Sequence, residues 1–417
     1  MWDSELQRRA VLEWQGTAVH LQHERACRSR DPHSKELFSR KVQIASYMSV
    51  PGSEGSEVMG VATVPATTPP ARMSRVGGER LGEPGTQVDP AAGVPVLPED
   101  ITARSWVVSD AESGKVLAAH NAHWRLPPAS TLKMLFADTV LPRFSKEIRH
   151  KVVASDLAGM GVGSSVVGMR EGHTYTVHEL WLGVFLRSGN DAVRALAAMN
   201  GGVARTLKEM QDHADELQAL DTHVVSPDGY DEPGQVSSAY DLTLFARSGL
   251  QKKEFRDYCS TVRARFESGV IQNTNRLLSG DTDVPVYPGI AGVKNGNTTK
   301  AGATFTGVAK RNGKVLLVTV MNPAKQEHNE VYKEAAKLFD WGFRADGRVN
   351  PVGELVAPKD AARAGTRPST SGHEAQGTGG WTAAGIAGGL LVLLSGGAFL
   401  INRRWPLPDL MRRRNRS

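Results

Sequence analysis

The sequence predicts an α+β domain, an antiparallel sheet packed with helices, followed by a single C-terminal transmembrane helix. Three observations carry this. Strand patterns stand at both ends of the stretch 99–350, and the residues between them read mainly as helices and loops. Near the chain end lies an uncharged, strongly apolar run of 20 residues, Thr382–Ile401. Edges contributed by distant parts of the chain imply one sheet layered with helices.

The elements follow in order. Ser105–Ser109 and Lys115–Ala119 flank a turn at Glu112-Ser113-Gly114 and read as a strand pair. From about Ser130 to Gly249 the pattern is helical, with apolar segments such as Leu180–Leu186. Thr304–Ala309 and Val315–Met321 flank Asn312-Gly313, a strong hairpin signal because that pair accepts the positive φ angles of a tight turn. Glu330–Trp341 has helical spacing (Val331, Ala335, Leu338, Phe339) and closes the domain.

The flanks differ in kind. Residues 1–98 are polar and basic at first, then rich in proline and glycine, and are expected to be poorly structured. Residues 1–45 hold no apolar run of export-signal length, so the signal that an external domain needs is expected to be missing from this sequence. Residues 351–380, rich in Ala, Gly, Ser, Thr and Pro, read as a flexible linker. At 1.5 Å per residue the apolar run matches a hydrocarbon core of about 30 Å, so 381–402 is expected to span a membrane. The tail 403–417 carries Arg403, Arg404, Arg412, Arg413, Arg414 and Arg416 against Asp409, a net +5 of the chain's +6. Positive charge favours the cytoplasmic side, which places the tail inside and the domain outside. With its excess charge in that tail, the chain gives no sign of nucleic-acid binding. Two cysteines, Cys27 and Cys259, are too few for a disulfide scaffold or a cysteine metal site.

Three short motifs carry candidate chemistry. In Pro127-Pro128-Ala129-Ser130-Thr131-Leu132-Lys133 the prolines suit a helix start, and positions i and i+3 share a helix face, so Ser130 and Lys133 are neighbours. A serine hydroxyl needs an adjacent base, and a lysine serves once burial and nearby cations depress its pKa. Ser188-Gly189-Asn190 joins two helical segments and can present a hydroxyl and an amide to a cleft. Gly292-Val293-Lys294-Asn295-Gly296-Asn297 sets a lysine at a strand end, beside a glycine that lets a peptide lie along the strand edge. Taken singly these are also an ordinary helix start, a turn and a surface hairpin.

Together and in this order they resemble the penicillin-recognising serine hydrolases, specifically the D-alanyl-D-alanine carboxypeptidases, defined by Ser-x-x-Lys, Ser-x-Asn and Lys-Thr-Gly. The likeness covers about Ala103–Phe343 and includes EGHTYTVHELWLGVFLRSGNDA, SPDGYDEPGQVSSAYDL, NTNRLL and FDWGF. It implies a β-lactamase/transpeptidase-like fold and a serine peptidase that trims the terminal D-alanine from peptidoglycan stem peptides ending in D-Ala-D-Ala. It also implies acylation by β-lactams, with no metal or cofactor. By the same resemblance Ser130 is the nucleophile and Lys133 its base. Ser188 and Lys294 deliver the proton to the leaving D-alanine, and Asn190 orients Lys133 and the substrate amide. The N–H groups of Ser130 and Asn297 form the oxyanion hole, and Lys294, Asn295, Gly296 and Asn297 line the substrate. One departure is plain: Asn295 stands where the family has threonine or serine, which is expected to reduce activity or alter substrate preference.

Two other functions are expected to leave different traces. A class A β-lactamase adds a deacylating glutamate, yet Glu209, Glu216, Glu232, Glu254 and Glu267 stand in no recognisable loop for it. A non-catalytic wall-binding sensor fits Asn295 but gives Ser130, Lys133, Ser188, Asn190 and Lys294 no reason to coexist.

Overall fold

Along Ala103–Asp110 the side chains alternate between two hydrophobic cores: Trp106 and Val108 enter one, Val107 the other. A strand buried on both faces belongs inside a layered sheet, and the computed structural model, which describes residues 68–361, shows one. The expected transmembrane helix 381–402, the tail 403–417, residues 1–67 and the linker beyond 361 lie outside the described residues.

The strands are β1 (Thr86–Pro90), β2 (Ala103–Asp110), β3 (Lys115–His120), β4 (Arg149–Lys151), β5 (Thr174–Thr176), β6 (Arg263–Phe266), β7 (Gly269–Gln272), β8 (Ile290–Thr298), β9 (Gly302–Arg311), β10 (Lys314–Pro323), β11 (Val349–Asn350) and β12 (Gly353–Glu354). The main sheet runs β11-β1-β3-β2-β10-β9-β8, with β12 also paired to β3, and its pairings are antiparallel. Two small hairpins, β4–β5 and β6–β7, sit apart from it.

The helices are α1 (Lys133–Val140), α2 (Val177–Arg187), α3 (Asn190–Met199), α4 (Val203–Glu216), α5 (Ala239–Gly249), α6 (Lys253–Ser260), α7 (Arg276–Ser279) and α8 (Glu330–Ala345). Helix α8 covers one sheet face: Leu338, Phe339 and Trp341 share a core with Trp106, Val108, Leu316, Val318 and Val320. The other face, carrying Val107, Leu317 and Met321, packs under a helical lobe containing α1, α2, α3 and α5. The β9–β10 hairpin turns at Asn312-Gly313, with φ of 49° and 83°, as that dipeptide requires. The expected α+β sheet-and-helix domain is therefore present.

The domain boundaries need correction at both ends. Within 1–98, residues 68–98 are structured: Leu81 is buried, β1 pairs Thr86–Val88 with Ala118–His120, and Pro95 O accepts from Trp341 Nε1 at 2.8 Å. Proline and glycine content describes local stiffness and says nothing about a five-residue strand whose partner lies about 30 positions away. The domain also runs past 350. Residues 353–354 add β12, Leu355 is buried, and its N–H donates to Gly114 O at 2.7 Å.

Candidate active site

Pro127 and Pro128 lead into a single 3-10 turn, Ala129–Leu132, that runs directly into α1. The turn is held hard. Ala129 sits at φ 49°, a left-handed conformation that an alanine takes only under constraint. The Pro128 carbonyl accepts the hydroxyls of Thr131 and of Thr304 on β9. Gly229 presses on the turn from the loop 226–235, where a Cβ would lie 1.9 Å from Ala129 O.

This geometry brings the first motif together. Lys133 Nζ donates to Ser130 Oγ at 2.8 Å and to Asp228 O at 2.6 Å. The lysine is buried, and that burial lowers its pKa to about 8, against the opposing pull of the Asp228 and Asp191 carboxylates. At neutral pH an accessible fraction of Lys133 is thus a free amine in contact with the serine hydroxyl.

The second motif closes α2. Ser188 takes φ 57° at the helix end, and α3 begins at Asn190. Asn190 N–H donates to Ser165 O, and its Nδ2 donates to Ser164 Oγ at 3.0 Å. Among the described residues Ser188 Oγ and Asn190 Oδ1 have no hydrogen-bond partner although both are buried. Asn190, expected to orient Lys133, is bonded to Ser164 and Ser165 instead, and the partners of Lys133 are Ser130 and Asp228.

The third motif lies on β8, the strand at one edge of the main sheet. Lys294 is buried, its Nζ donates to Asn295 O at 2.7 Å, and burial, with Lys133 as a second cause, holds its pKa well below the usual lysine range. A Cβ on Gly296 would stand 2.6 Å from Ser130 N and 2.7 Å from Thr304 Oγ1, so only glycine lets β8 approach the serine turn. Asn297 follows, exposed. Asn295 Oδ1 accepts from Thr274 Oγ1 at 3.0 Å, and Thr274 O in turn accepts from the buried Tyr332 hydroxyl.

Several residues of the site have no counterpart in the motif reading. The loop 226–235 is one source: besides Asp228 and Gly229 it supplies Asp231, which receives Thr298 Oγ1 at 2.6 Å and Lys300 N at 2.8 Å and ties the loop to the β8–β9 turn. Asp191 is another. Its carboxylate accepts from the N–H groups of Val167, Gly168, Met169 and Ala192, fixing the segment that holds Ser164 and Ser165. The segment SPDGYDEPGQ was legible as part of the family likeness, but no chemistry-bearing spacing marks Asp228 in it.

One group of side chains among the described residues has metal-ligand character, His123, Asp221 and Asp241. Its atoms are largely engaged already. His123 Nδ1 meets Asp221 Oδ2 at 2.6 Å, Arg125 binds Asp221 Oδ1, and Asp241 Oδ2 accepts from Asp221 N and Thr222 Oγ1. The group reads as a buried polar network rather than a cofactor site. Cys259 is buried against Gly292, and burial pushes its thiol pKa up, which leaves it inert; Cys27 lies outside the described residues.

Known proteins place the chain in a family. Residues 91–325 match the family described as D-alanyl-D-alanine carboxypeptidase. The chain belongs to that family. It is 35% identical over 271 residues to the D-alanyl-D-alanine carboxypeptidase DacB2 of Mycobacterium tuberculosis, covering 64% of this chain and 90% of the relative. To DacD of Escherichia coli it is 32% identical over 267 residues, or 60% of this chain and 66% of that one. A crystal structure of the D-alanyl-D-alanine carboxypeptidase from M. tuberculosis matches with a TM-score of 0.58 at 34% identity, covering 64% of this chain and all of that one. Penicillin-binding protein D2 of Listeria monocytogenes, in an ampicillin-bound form, matches at 0.51 and 27% identity, covering 59% and 99%. The sheet-and-helix domain is thus of the β-lactamase/transpeptidase-like kind that these carboxypeptidases share.

Proposed function

We infer that the protein is a serine D-Ala-D-Ala carboxypeptidase of peptidoglycan and a target of penicillin. The observation that carries the mechanism is the 2.8 Å contact between Lys133 Nζ and Ser130 Oγ, inside a site whose two buried lysines are both driven toward the neutral form. Lys133 as the free amine takes the Ser130 proton while Oγ attacks the carbonyl carbon of the penultimate D-alanine. The N–H groups of Ser130 and Asn297 stabilise the oxyanion, each worth a few kcal/mol (about 3). The C–N bond to the terminal D-alanine then breaks, and its nitrogen receives a proton through Ser188 Oγ, with Lys294 facing the substrate carboxylate. Asn190 Oδ1 accepts from the substrate amide. Water hydrolyses the Ser130 ester. A β-lactam follows the first half of this course, but its leaving amine stays tethered to the opened ring.

Two of the glutamates between the second and third motifs are already engaged elsewhere. Glu267 is held by Arg170, His173 and Tyr175, and Glu209 by Asn200 and Arg205, which weighs against a β-lactamase-type deacylating base at either. The test is release of D-alanine from a stem pentapeptide ending in D-Ala-D-Ala. Release by the parent and none by Ser130→Ala is expected; a folded parent that releases none contradicts the reading.

The domain is further proposed to work outside the membrane, anchored by 381–402 with 403–417 in the cytoplasm. The support is the uncharged run beside the arginine cluster. No helix among the described residues is long and apolar enough to cross a membrane. Retention of the full chain, but not of a chain ending at residue 361, in washed membranes is the expected result. Equal release of both contradicts the anchor.

A further inference from the structure

The loop 226–235 approaches Lys133 with more than its backbone. The Asp228 side chain is fully buried, and its Oδ1 accepts from Ser226 Oγ at 2.9 Å and from Tyr230 N at 3.0 Å. Its other oxygen, Oδ2, has no hydrogen-bond partner among the described residues. Arg194 of α3 faces it, with Nε 3.8 Å away, beyond hydrogen-bond reach, and Arg194 Nε is likewise unpartnered. The guanidinium is held in place from its other end, where Nη2 donates to Gly159 O at 2.7 Å. A half-satisfied buried carboxylate beside an ammonium group calls for an explanation.

The charged groups that bear on Lys133 come from three elements: Asp228 on the loop, Asp191 on α3 and Lys294 on β8, while Arg194, also on α3, faces Asp228. Four backbone N–H groups disperse the Asp191 charge. That leaves Asp228 as the anion whose Oδ2 takes no hydrogen bond among the described residues and is met by the Arg194 guanidinium at 3.8 Å, on the residue whose carbonyl already touches Nζ. Removing its charge disfavours the ammonium form of Lys133; removing the opposing Arg194 charge favours it.

We propose that Asp228 is a positioning residue whose side-chain charge sets how readily Lys133 gives up its proton, with Arg194 as the counter-ion that limits that pull. The role is specific to this side chain, since any residue at 228 would supply the backbone carbonyl. The inference rests on Lys133 being the base that activates Ser130.

The test is the second-order rate of acylation of the full chain by a fluorescent penicillin, followed from acid to alkaline pH. In the parent the rate rises as Lys133 loses its proton. Asp228→Asn, which keeps an oxygen for Ser226 and Tyr230, is expected to move that rise to lower pH by about one unit, or about tenfold in rate on its acid side. Arg194→Gln is expected to move it to higher pH, and Arg194→Lys to restore the parental curve. Damage to the fold scales the rate at every pH without moving the midpoint, so shifts of opposite sign are diagnostic. Unshifted curves, or shifts in the same direction, overturn the proposal. If Asp228→Asn is insoluble, the Arg194 pair decides alone, an unshifted Arg194→Gln being the overturning result. A parent that never acylates overturns the assignment of Lys133 and this proposal together, whereas a normal parent with unshifted variants overturns this proposal only.

Discussion

Gly296 and Ser130 are packed so closely that a methyl group on the glycine would stand 2.6 Å from the serine's amide nitrogen. The contact joins a sheet edge to the turn that carries the nucleophile. Because the same amide is assigned to the oxyanion hole, the glycine acts on both binding and chemistry. Gly296→Ala is expected to lower acylation by penicillin about 100-fold, the scale of a misplacement near 1 Å. Overpacking should also cost about 1–3 kcal/mol of stability. Stopped-flow acylation beside a thermal melt checks both; parental acylation in a folded variant would show that the turn can give way.

The pH dependence follows from Lys133. Burial lowers its pKa to about 8, and only the free amine accepts the serine proton. Acylation by the free enzyme should therefore rise with pH and level off above about 8. Well below that value it should fall about tenfold per pH unit. A rate that is flat from acid to alkaline pH would remove Lys133 as the base.

Asn295 offers a gain of function. Its carboxamide oxygen accepts from Thr274 Oγ1, which ties the side chain to the Thr274 segment. Asn295→Thr restores the family's hydroxyl, and one well-placed bond to a charged group is worth about 1.5–3 kcal/mol. Acylation and D-alanine release should both increase by about tenfold or more. No change in either would mean that Thr274 and its neighbours already do the work of the missing hydroxyl.

How far the sequence alone reached depended on the range of the interaction. The Asn312-Gly313 hairpin, the α8 stripe and the strand pair around Gly114 are local patterns, and each stands where its residues placed it. The Ser130–Lys133 contact was legible too, because a helical i, i+3 spacing alone predicts it. Asp228 was not. Its part in the site depends on a loop about 95 residues further along the chain folding back onto Lys133, which no period or spacing reports. Strand β1 was missed for the same reason, since its partner is remote and its own composition resembles a linker.

That omission makes a boundary prediction. A chain beginning at residue 99 lacks β1 and buried Leu81, and exposes the β3 edge at Ala118–His120, β12 still covering Lys115 and Val116. Burial of one leucine stabilises by about 1.5–3 kcal/mol before any strand hydrogen bond is counted. Such a chain is expected to melt at least about 5 °C below one beginning at residue 68, or to be insoluble. Equal melting temperatures would show that 68–98 adds nothing to the fold.

The most direct test of the central claim, a lysine-activated serine in a penicillin-accepting site, is intact-mass spectrometry of the protein incubated with penicillin, beside Ser130→Ala. A single adduct of the penicillin mass that persists on the parent and is absent from the variant is the expected result. No adduct on the folded parent, or an equal adduct on both, would contradict Ser130 as the activated nucleophile.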